Sequence, residues 1–296
     1  MSGDGALTQG KLINARPIVA RIDAGTRDGI QALWTNGIQP TLAVVHHGEH
    51  ADAASYRRMI VQRAARLGLD VREIPLAADS PPALLRETLD HLGHDPTIHG
   101  VLVQTPWPPE WRQLISDHLS PLKDVEGITP GNLGRLLLSD PIVLPCTAAA
   151  VVALIESRIP DLAGRRVVVV NNSATVGRPL AHLLLQRRAT VTICATATVD
   201  LALETRRAEV LVTAIGSPRY FGPEHIAPGT LVIDVGINEL PDGSICGDVD
   251  LDAVVERVAA ITPVPGGVGP VTTALLTANT VELARIGHAS GSRAYD

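Results

Sequence analysis

A chain of 296 residues, 45% of them hydrophobic, is long enough to bury one large core or two smaller ones, and this composition excludes general disorder. The formal net charge of −6, with arginines scattered along the sequence, argues against a nucleic-acid or anionic-membrane partner, because either calls for a basic face. Three cysteines, Cys146, Cys194 and Cys246, lack C-x-x-C spacing, and the first ten residues lack the basic start and apolar core of a signal peptide. The expectation is a cytoplasmic, reduced protein with no metal and no membrane span.

Residues 11–36 carry Ile18, Ile22, Ile30 and Leu33 at roughly helical spacing, which predicts a surface helix ending before the break from Gly37 to Pro40. Thr41 to His46 reads as a strand, Gly48 to Asp52 as its exit loop, and Ala53 to Leu67 as a helix closed by Gly68. A strand follows from Val71 to Pro75, then a helix opened by Pro81 and Pro82 and reaching Leu92. A third strand, Gly100 to Gln104, runs into the stiff segment from Thr105 to Pro109 and completes a βαβαβ half. Lys123 to Gly134 is rich in glycine and turn formers and is expected to be a loop at the strand ends, where α/β proteins keep their chemistry. Leu144 to Thr147 leads into an apolar helix, Ala148 to Ser157.

Four valines, Val167 to Val170, are too β-branched for a good helix and too apolar for a sheet edge, so they suit a parallel strand buried on both faces. Polar Asn171, Asn172 and Ser173 end it, and Gly177 and Pro179 lead into an apolar helix from Leu180. Strand, turn and helix together form the opening unit of a dinucleotide-binding fold, because unpaired N–H groups and the positive dipole end at a helix start favour a phosphate. No G-x-G-x-x-G is present, and any β-turn-α unit fits the stretch taken alone. Strands from Thr190 to Cys194, Val210 to Ala214 and Leu231 to Val235 predict a second wound parallel sheet, and Val271 to Ile286 a terminal helix.

Several stretches have the order and nearly the spacing of one set of signatures. They are Gly100 to Pro108 (GVLVQTPWP), Lys123 to Gly127 (KDVEG), Asn132 to Arg135 (NLGR), Pro145 to Thr147 (PCT), Ser173 to Pro179 (SATVGRP), Val232 to Asn238 (VIDVGIN), Gly247 to Val249 (GDV) and Thr262 to Thr272 (TPVPGGVGPVT). With them the chain, from about Leu42 to Leu283, resembles the 5,10-methylenetetrahydrofolate dehydrogenase/cyclohydrolase family. The resemblance implies an α/β protein of two wound parallel-sheet domains with a cleft between them, the second domain of Rossmann type. It assigns residues 1–147, completed by the C-terminal helix 271–296, to folate binding and catalysis, and 148–270 to NAD(P). It also implies a homodimer joined through the cofactor domains.

Residue by residue, Tyr56 matches the tyrosine that stacks on the pterin, and Gln104 the glutamine that helps hold the catalytic groups and folate. Pro265, Gly266, Gly267, Val268 and Gly269 resemble the loop that closes on the pterin. Asn171, Asn172, Ser173, Thr175, Val176, Gly177, Arg178, Pro179, Thr196 and Ile237 fall on the family's cofactor positions. Asp248 reads equally well as a helix or turn cap and receives no catalytic role.

The chain departs from the family where it matters most. The bifunctional members' lysine, four residues after the tyrosine and on the same helix face, is Ile60 here. The serine that hydrogen-bonds that lysine is Ala53, and the aspartate that binds the pterin is Glu126. Cyclohydrolase chemistry needs a group that passes a proton as water adds and the ring opens, and isoleucine cannot ionise. Arg57 and Arg58 lie on other faces, and the chain's only lysines, Lys11 and Lys123, are no obvious replacement. In the cofactor turn, Asn171 replaces the first glycine, and Asn172 a residue that is often an arginine facing the 2′-phosphate. Cys194 to Thr198 offers neither a cation for a 2′-phosphate nor an acid for a free 2′-hydroxyl, so NAD or NADP stays open, with a lean away from strict NADP dependence. The leading reading is a dehydrogenase with weak or lost cyclohydrolase activity. The alternatives are an enzyme that uses Glu126 on another folate adduct, and a silent folate- or nucleotide-binding protein.

Overall fold

The structure, a computed structural model, describes residues 10–48 and 51–292, and the chain divides into two compact units. The first unit comprises Ala20–Cys146 and the chain from Thr273 onward. In order it holds helix α1 (Arg16–Thr35, from Ala20 on), β1 (Thr41–His47), α2 (Ala51–Leu67), β2 (Asp70–Leu76), α3 (Pro82–His94), β3 (Gly100–Gln104), α4 (Trp111–His118) and α5 (Pro130–Leu137). The three strands form a parallel sheet in the order β2-β1-β3, with Val44 opposite Glu73 on one side and Leu102 on the other.

Alternation along β1 explains the layering. Leu42 and Val44 enter a core with Ile60, Leu67, Leu102, Val125 and Leu276, while Ala43 and Val45 enter another with Leu85, Leu89, Val101, Trp111 and Ile115. A strand buried on both faces has no polar side to show, hence its unbroken apolar run. Gly68 closes α2 at φ +87°, and a Cβ there would meet the Trp34 ring at 2.8 Å.

Three expectations for this unit change. The segment from Lys123 to Gly134 is not wholly a loop, because Pro130 opens α5, with Thr129 Oγ1 accepting from the Asn132 backbone N–H at 3.4 Å. Proline at the first helical position and threonine at the cap outweigh the two glycines. Helix α4 was not expected, its eight residues being too short for a periodic signal. Of the expected exit loop from Gly48 to Asp52, Ala51 and Asp52 already belong to α2, and residues 49 and 50 lie outside those described.

The second unit comprises residues 10–19 and Thr147–Thr272. It contains α6 (Cys146–Glu156, from Thr147 on), β4 (Arg166–Val170), α7 (Gly177–Gln186), β5 (Thr190–Cys194), α8 (Leu201–Thr205), β6 (Val210–Thr213) and β7 (Leu231–Asp234). A two-stranded antiparallel ribbon of β8 (Asn238–Glu239) and β9 (Ile245–Cys246), helix α9 (Leu251–Val254) and strand β10 (Ala260–Ile261) follow. Helix α10 (Val268–Ser292) starts here and supplies the last helix of the first unit from Thr273 on. Residues 10–19, grouped with the first domain in the sequence reading, pack in this unit: Leu12 bridges Ile261, and Ile13 N donates to Ile261 O at 2.9 Å.

All five main strands are parallel, in the order β10-β7-β6-β4-β5. The four valines of β4 sit between β5 and β6 at 1–2% exposure. The strand order reverses at β4 and β6, and the crevice outside the carboxyl ends of those strands is where open α/β sheets bind ligands. Helix α7 begins at Gly177 and not at Leu180, since Pro179 is tolerated in a first turn. Among the described residues no helix is long and apolar enough to cross a membrane, and no group of three or more His, Cys, Asp or Glu is placed to hold a metal.

Candidate active site and dinucleotide turn

In the first unit, α2 positions the site because residues four apart share one face. Tyr56 packs half-buried against the core that contains Ile60 and Ala64, and Ile60 itself is completely buried. Of the flanking arginines, Arg57 pairs through Nε with Glu73 at 2.8 Å and donates through Nη1 to Gln104 Oε1 at 3.5 Å, while Arg58 donates to Ser55 Oγ at 2.8 Å. Gln104, buried at the end of β3, donates through Nε2 to the Ala53 carbonyl at 2.6 Å, three residues before Tyr56.

Glu126 lies close enough to Tyr56 and Cys146 to act on both. Burial, and then the neighbouring Asp124 carboxylate, push its pKa up to about 8, so near neutral pH much of it is a neutral acid. Burial also raises the Tyr56 phenol above its ordinary range, with Glu126 adding to the effect, so the ring stays uncharged. No hydrogen bond to the Glu126 carboxyl is found among the described residues, which leaves it available to a ligand.

Asp124 builds the loop that presents Glu126. Fully buried, it accepts from Gly127 N (3.0 Å), Thr129 N (2.8 Å) and Asn132 Nδ2 (2.9 Å), fixing both the turn and the start of α5. Both lysines are held in other structure. Lys123 Nζ donates to the Asp95 and Ile98 carbonyls, the latter at 2.6 Å, before β3 begins, and Lys11 donates to the Glu256 carbonyl at 2.6 Å.

In the second unit, Asn171 leaves β4 with its side chain spanning the reversal point: Nδ2 donates to Ala214 O, beyond β6, at 2.6 Å. Its Oδ1 accepts from Ser173 N (2.9 Å), Ser173 Oγ (2.7 Å) and Gly177 N (2.9 Å). A Cβ at Gly177 would run into the Asn171 carbonyl oxygen, so only glycine lets helix and strand pack this closely. Asn172 and Arg178 stand exposed, with Arg178 Nε on Asn172 Oδ1 at 3.1 Å, and Thr175 is exposed beside them. This turn, at a reversal point, opening a ten-residue helix and carrying a cation, fits a dinucleotide pyrophosphate.

Beyond β6 and β7, two buried carboxylates organise the neighbouring loops. Asp248 accepts from Ile215 N (2.6 Å), Gly216 N (3.2 Å), Ser217 N (2.9 Å) and Asn238 Nδ2 (2.9 Å). Asp234 accepts from Gly236 N (3.0 Å), Asp248 N (3.1 Å) and Val249 N (2.9 Å), and burial raises its pKa to about 6 against these bonds. Between the clamped Gly236 and Asn238, Ile237 is held out at 68% exposure. Sequence reading gave Asp124, Asp234, Asn132 and Asp248 no part in the site. For Asp234 and Asp248 the available signal was an acid in a short glycine-flanked motif with no basic residue beside it.

Thr196 is exposed past the end of β5. Pro265 and Gly266 are exposed, Gly266 at φ +108°, while a Cβ on Gly267 would meet Pro263 O and Thr262 Cβ at 2.7 Å. Val268 and Gly269, read above as part of a closing loop, form the first turn of α10.

Comparison with known proteins divides the chain between residues 126 and 145. The tetrahydrofolate dehydrogenase/cyclohydrolase catalytic domain matches residues 13–126, and the NAD(P)-binding domain of the same family matches residues 145–288. The bifunctional protein FolD of Geobacillus thermodenitrificans is 41% identical over 276 residues, 93% of this chain and 97% of its own. Among solved structures, the bifunctional methylenetetrahydrofolate dehydrogenase/cyclohydrolase FolD of Campylobacter jejuni superposes with a TM-score of 0.88 at 36% identity, covering 93% of this chain and 98% of the other. The Trypanosoma brucei FolD, solved with NADP and an inhibitor, gives 0.87 at 32% identity, covering 93% and 97%.

Proposed function

The chain belongs to the tetrahydrofolate dehydrogenase/cyclohydrolase family, and from that premise we propose that it has kept the first of the family's two activities and largely lost the second. It is an NAD(P)-dependent 5,10-methylenetetrahydrofolate dehydrogenase of one-carbon folate metabolism. The dinucleotide, when bound, takes up the hydride. Transfer between two held rings needs positioning above all, and a proton donor is dispensable.

In this reading Tyr56 offers its ring face to the pterin, while Gln104 and Glu126 hold the polar edge. The turn from Asn171 to Pro179, with Thr196 and Ile237, holds the dinucleotide, and Pro265 to Gly269 close over the pterin. NAD and NADP are both candidates, and Arg178, on Asn172, is a cation of the turn. A homodimer joined through the cofactor domains and a cytoplasmic setting complete the proposal, the latter supported by three free cysteines. Light scattering that gives a concentration-independent mass near 31.2 kDa would rule out the dimer.

The observation that carries the loss of cyclohydrolase activity is Ile60. It occupies the lysine position as a completely buried core residue, and both lysines of the chain are tied to other structure. Spectrophotometry with methylenetetrahydrofolate and each dinucleotide tests it: NAD(P)H should form while the methenyl product accumulates. Rapid enzyme-dependent decay of the methenyl absorbance would refute the loss. A second reading rests on Glu126, a carboxyl with a pKa of about 8, which suits it to carry a proton on another folate adduct. Turnover of such an adduct, abolished in Glu126→Gln, would favour that reading.

A further inference from the structure

Strands β4, β6, β7 and β10 of the second unit begin around a cavity of about 830 Å3. Five arginines line it, Arg158, Arg165, Arg166, Arg206 and Arg207, with Glu209 as the acid in its wall. The arginines that look scattered in sequence therefore converge at the amino ends of the strands, because α6, β4 and the turn after α8 all meet there. Glu209 is engaged by Arg165 Nη1 at 2.8 Å and by the Arg166 backbone N–H at 3.0 Å, and Arg207 pairs with Glu204 at 3.2 Å. Arg158 and Arg206 donate to carbonyls, of Leu12 at 3.2 Å and of Glu224 at 2.7 Å. Those bonds aim the guanidinium groups without neutralising them, and two acids against five arginines leave three cations over.

The geometry points to a second binding site in this cavity, for a small anion carrying several phosphate groups, of nucleoside-triphosphate size. Guanidinium groups retain further donors after such bonds and match phosphate oxygens in pairs. The volume lies within the roughly 300–1,000 Å3 of small-molecule pockets. Ile159, Pro228 and Ala259 supply an apolar wall on which a base can lie. A long polyanion such as a nucleic acid fits less well, since the chain as a whole carries −6 and would repel whatever extends beyond the cavity. The dinucleotide turn is at the other end of β4, roughly 13–16 Å away for a five-residue strand, so the two ligands need not compete.

The test is calorimetric titration of the full chain at low salt with ATP, tripolyphosphate and AMP, with and without saturating NADP. ATP and tripolyphosphate should bind whether or not NADP is present, AMP more weakly, and all three less as salt rises. R158A/R206A should weaken ATP by about tenfold or more through the lost charge-assisted bonds, with the KM for the dinucleotide unchanged. Should that variant melt early, R207A, exposed and paired through its side chain to Glu204, should also weaken ATP. Tighter binding of ATP than of tripolyphosphate assigns the apolar wall to the base, and equal binding assigns the site to phosphates alone. Absence of binding, loss of ATP binding on saturation with NADP, or unchanged affinity in the arginine variants would overturn the proposal.

Discussion

Asn171 Oδ1 accepts the backbone N–H of Gly177 at 2.9 Å, so the residue that ends β4 also caps the helix that follows. Together with the bonds to Ser173 N and Ala214 O, one amide ties the turn to its own helix and to the next strand of the sheet. The turn is therefore held by side-chain hydrogen bonds from a single asparagine.

Asn171→Ala should accordingly cost about 1–2 kcal/mol, the range of a lost cap. That lowers the melting temperature by roughly 3–8 °C for a protein of this class. The KM for the dinucleotide should rise as the turn loosens. A calorimetric melt and a cofactor titration measure both, and an unchanged melt would show that the amide's bonds do not hold the turn.

Asp248→Ala should be more damaging. It removes the acceptor of three part-buried backbone N–H groups and of the buried Asn238 amide. One buried donor is left unmade and three part-buried ones turn to water, so the cost is about 2–4 kcal/mol in sum and a fall of roughly 5–10 °C in melting temperature is expected. The loop that carries Ile237 loses its frame, and dinucleotide binding should fall with it. Asp248→Asn, which keeps one acceptor oxygen, should recover part of both.

Much of this was legible in the sequence, and the exceptions share a cause. The strands Gly100–Gln104 and Thr190–Cys194 match their expected bounds, because a continuous β-branched run between turn formers has few alternatives. Tyr56, Gln104 and Glu126 were nameable because short motifs fixed their positions. What stayed hidden depends on distant parts of the chain meeting. The arginine cavity joins residues from Arg158 to Arg207, and the Asp234–Asp248 frame joins two loops separated by the β8–β9 ribbon. Helix α5 was missed for the opposite reason: its signal was local, in Thr129 and Pro130, and the glycines masked it.

Glu126 sets a pH dependence whose sign is fixed by its raised pKa. Between about 4.5, its ordinary value, and about 8, the folded chain holds a proton that the unfolded chain releases. Stability from this group is fully present below that window and is lost as pH rises through it. Glu126→Gln, which cannot ionise, should flatten this part of the profile and gain on the order of 1 kcal/mol or more over the wild type at pH 8.5. Denaturant melts of both proteins at pH 5, 7 and 8.5 measure it. Parallel profiles would mean that Glu126 titrates normally.

Ile60 decides between one activity and two. Ile60→Lys places an amine among Leu42, Val44 and Val143, where an unpaired charge is costly, so the single variant should lose about 2–4 kcal/mol of stability. The same desolvation lowers the lysine's pKa toward neutrality, which is what makes a buried lysine usable as an acid and base. Ala53→Ser, two turns earlier on the same face, adds a hydroxyl to orient it. The double variant should hydrolyse methenyltetrahydrofolate faster than the wild type, but only in part. Glu126 opposes full recovery, because a nearby ammonium favours its ionised form, and the pair so formed raises the amine's pKa again and draws it out of line. Adding Glu126→Asp shortens that reach and should increase hydrolysis further. Dehydrogenase turnover in the double variant should persist, since hydride transfer does not draw on this amine. If the double and triple variants fold, keep their dehydrogenase activity and still hydrolyse no faster than the wild type, then the missing lysine is not what limits the second reaction.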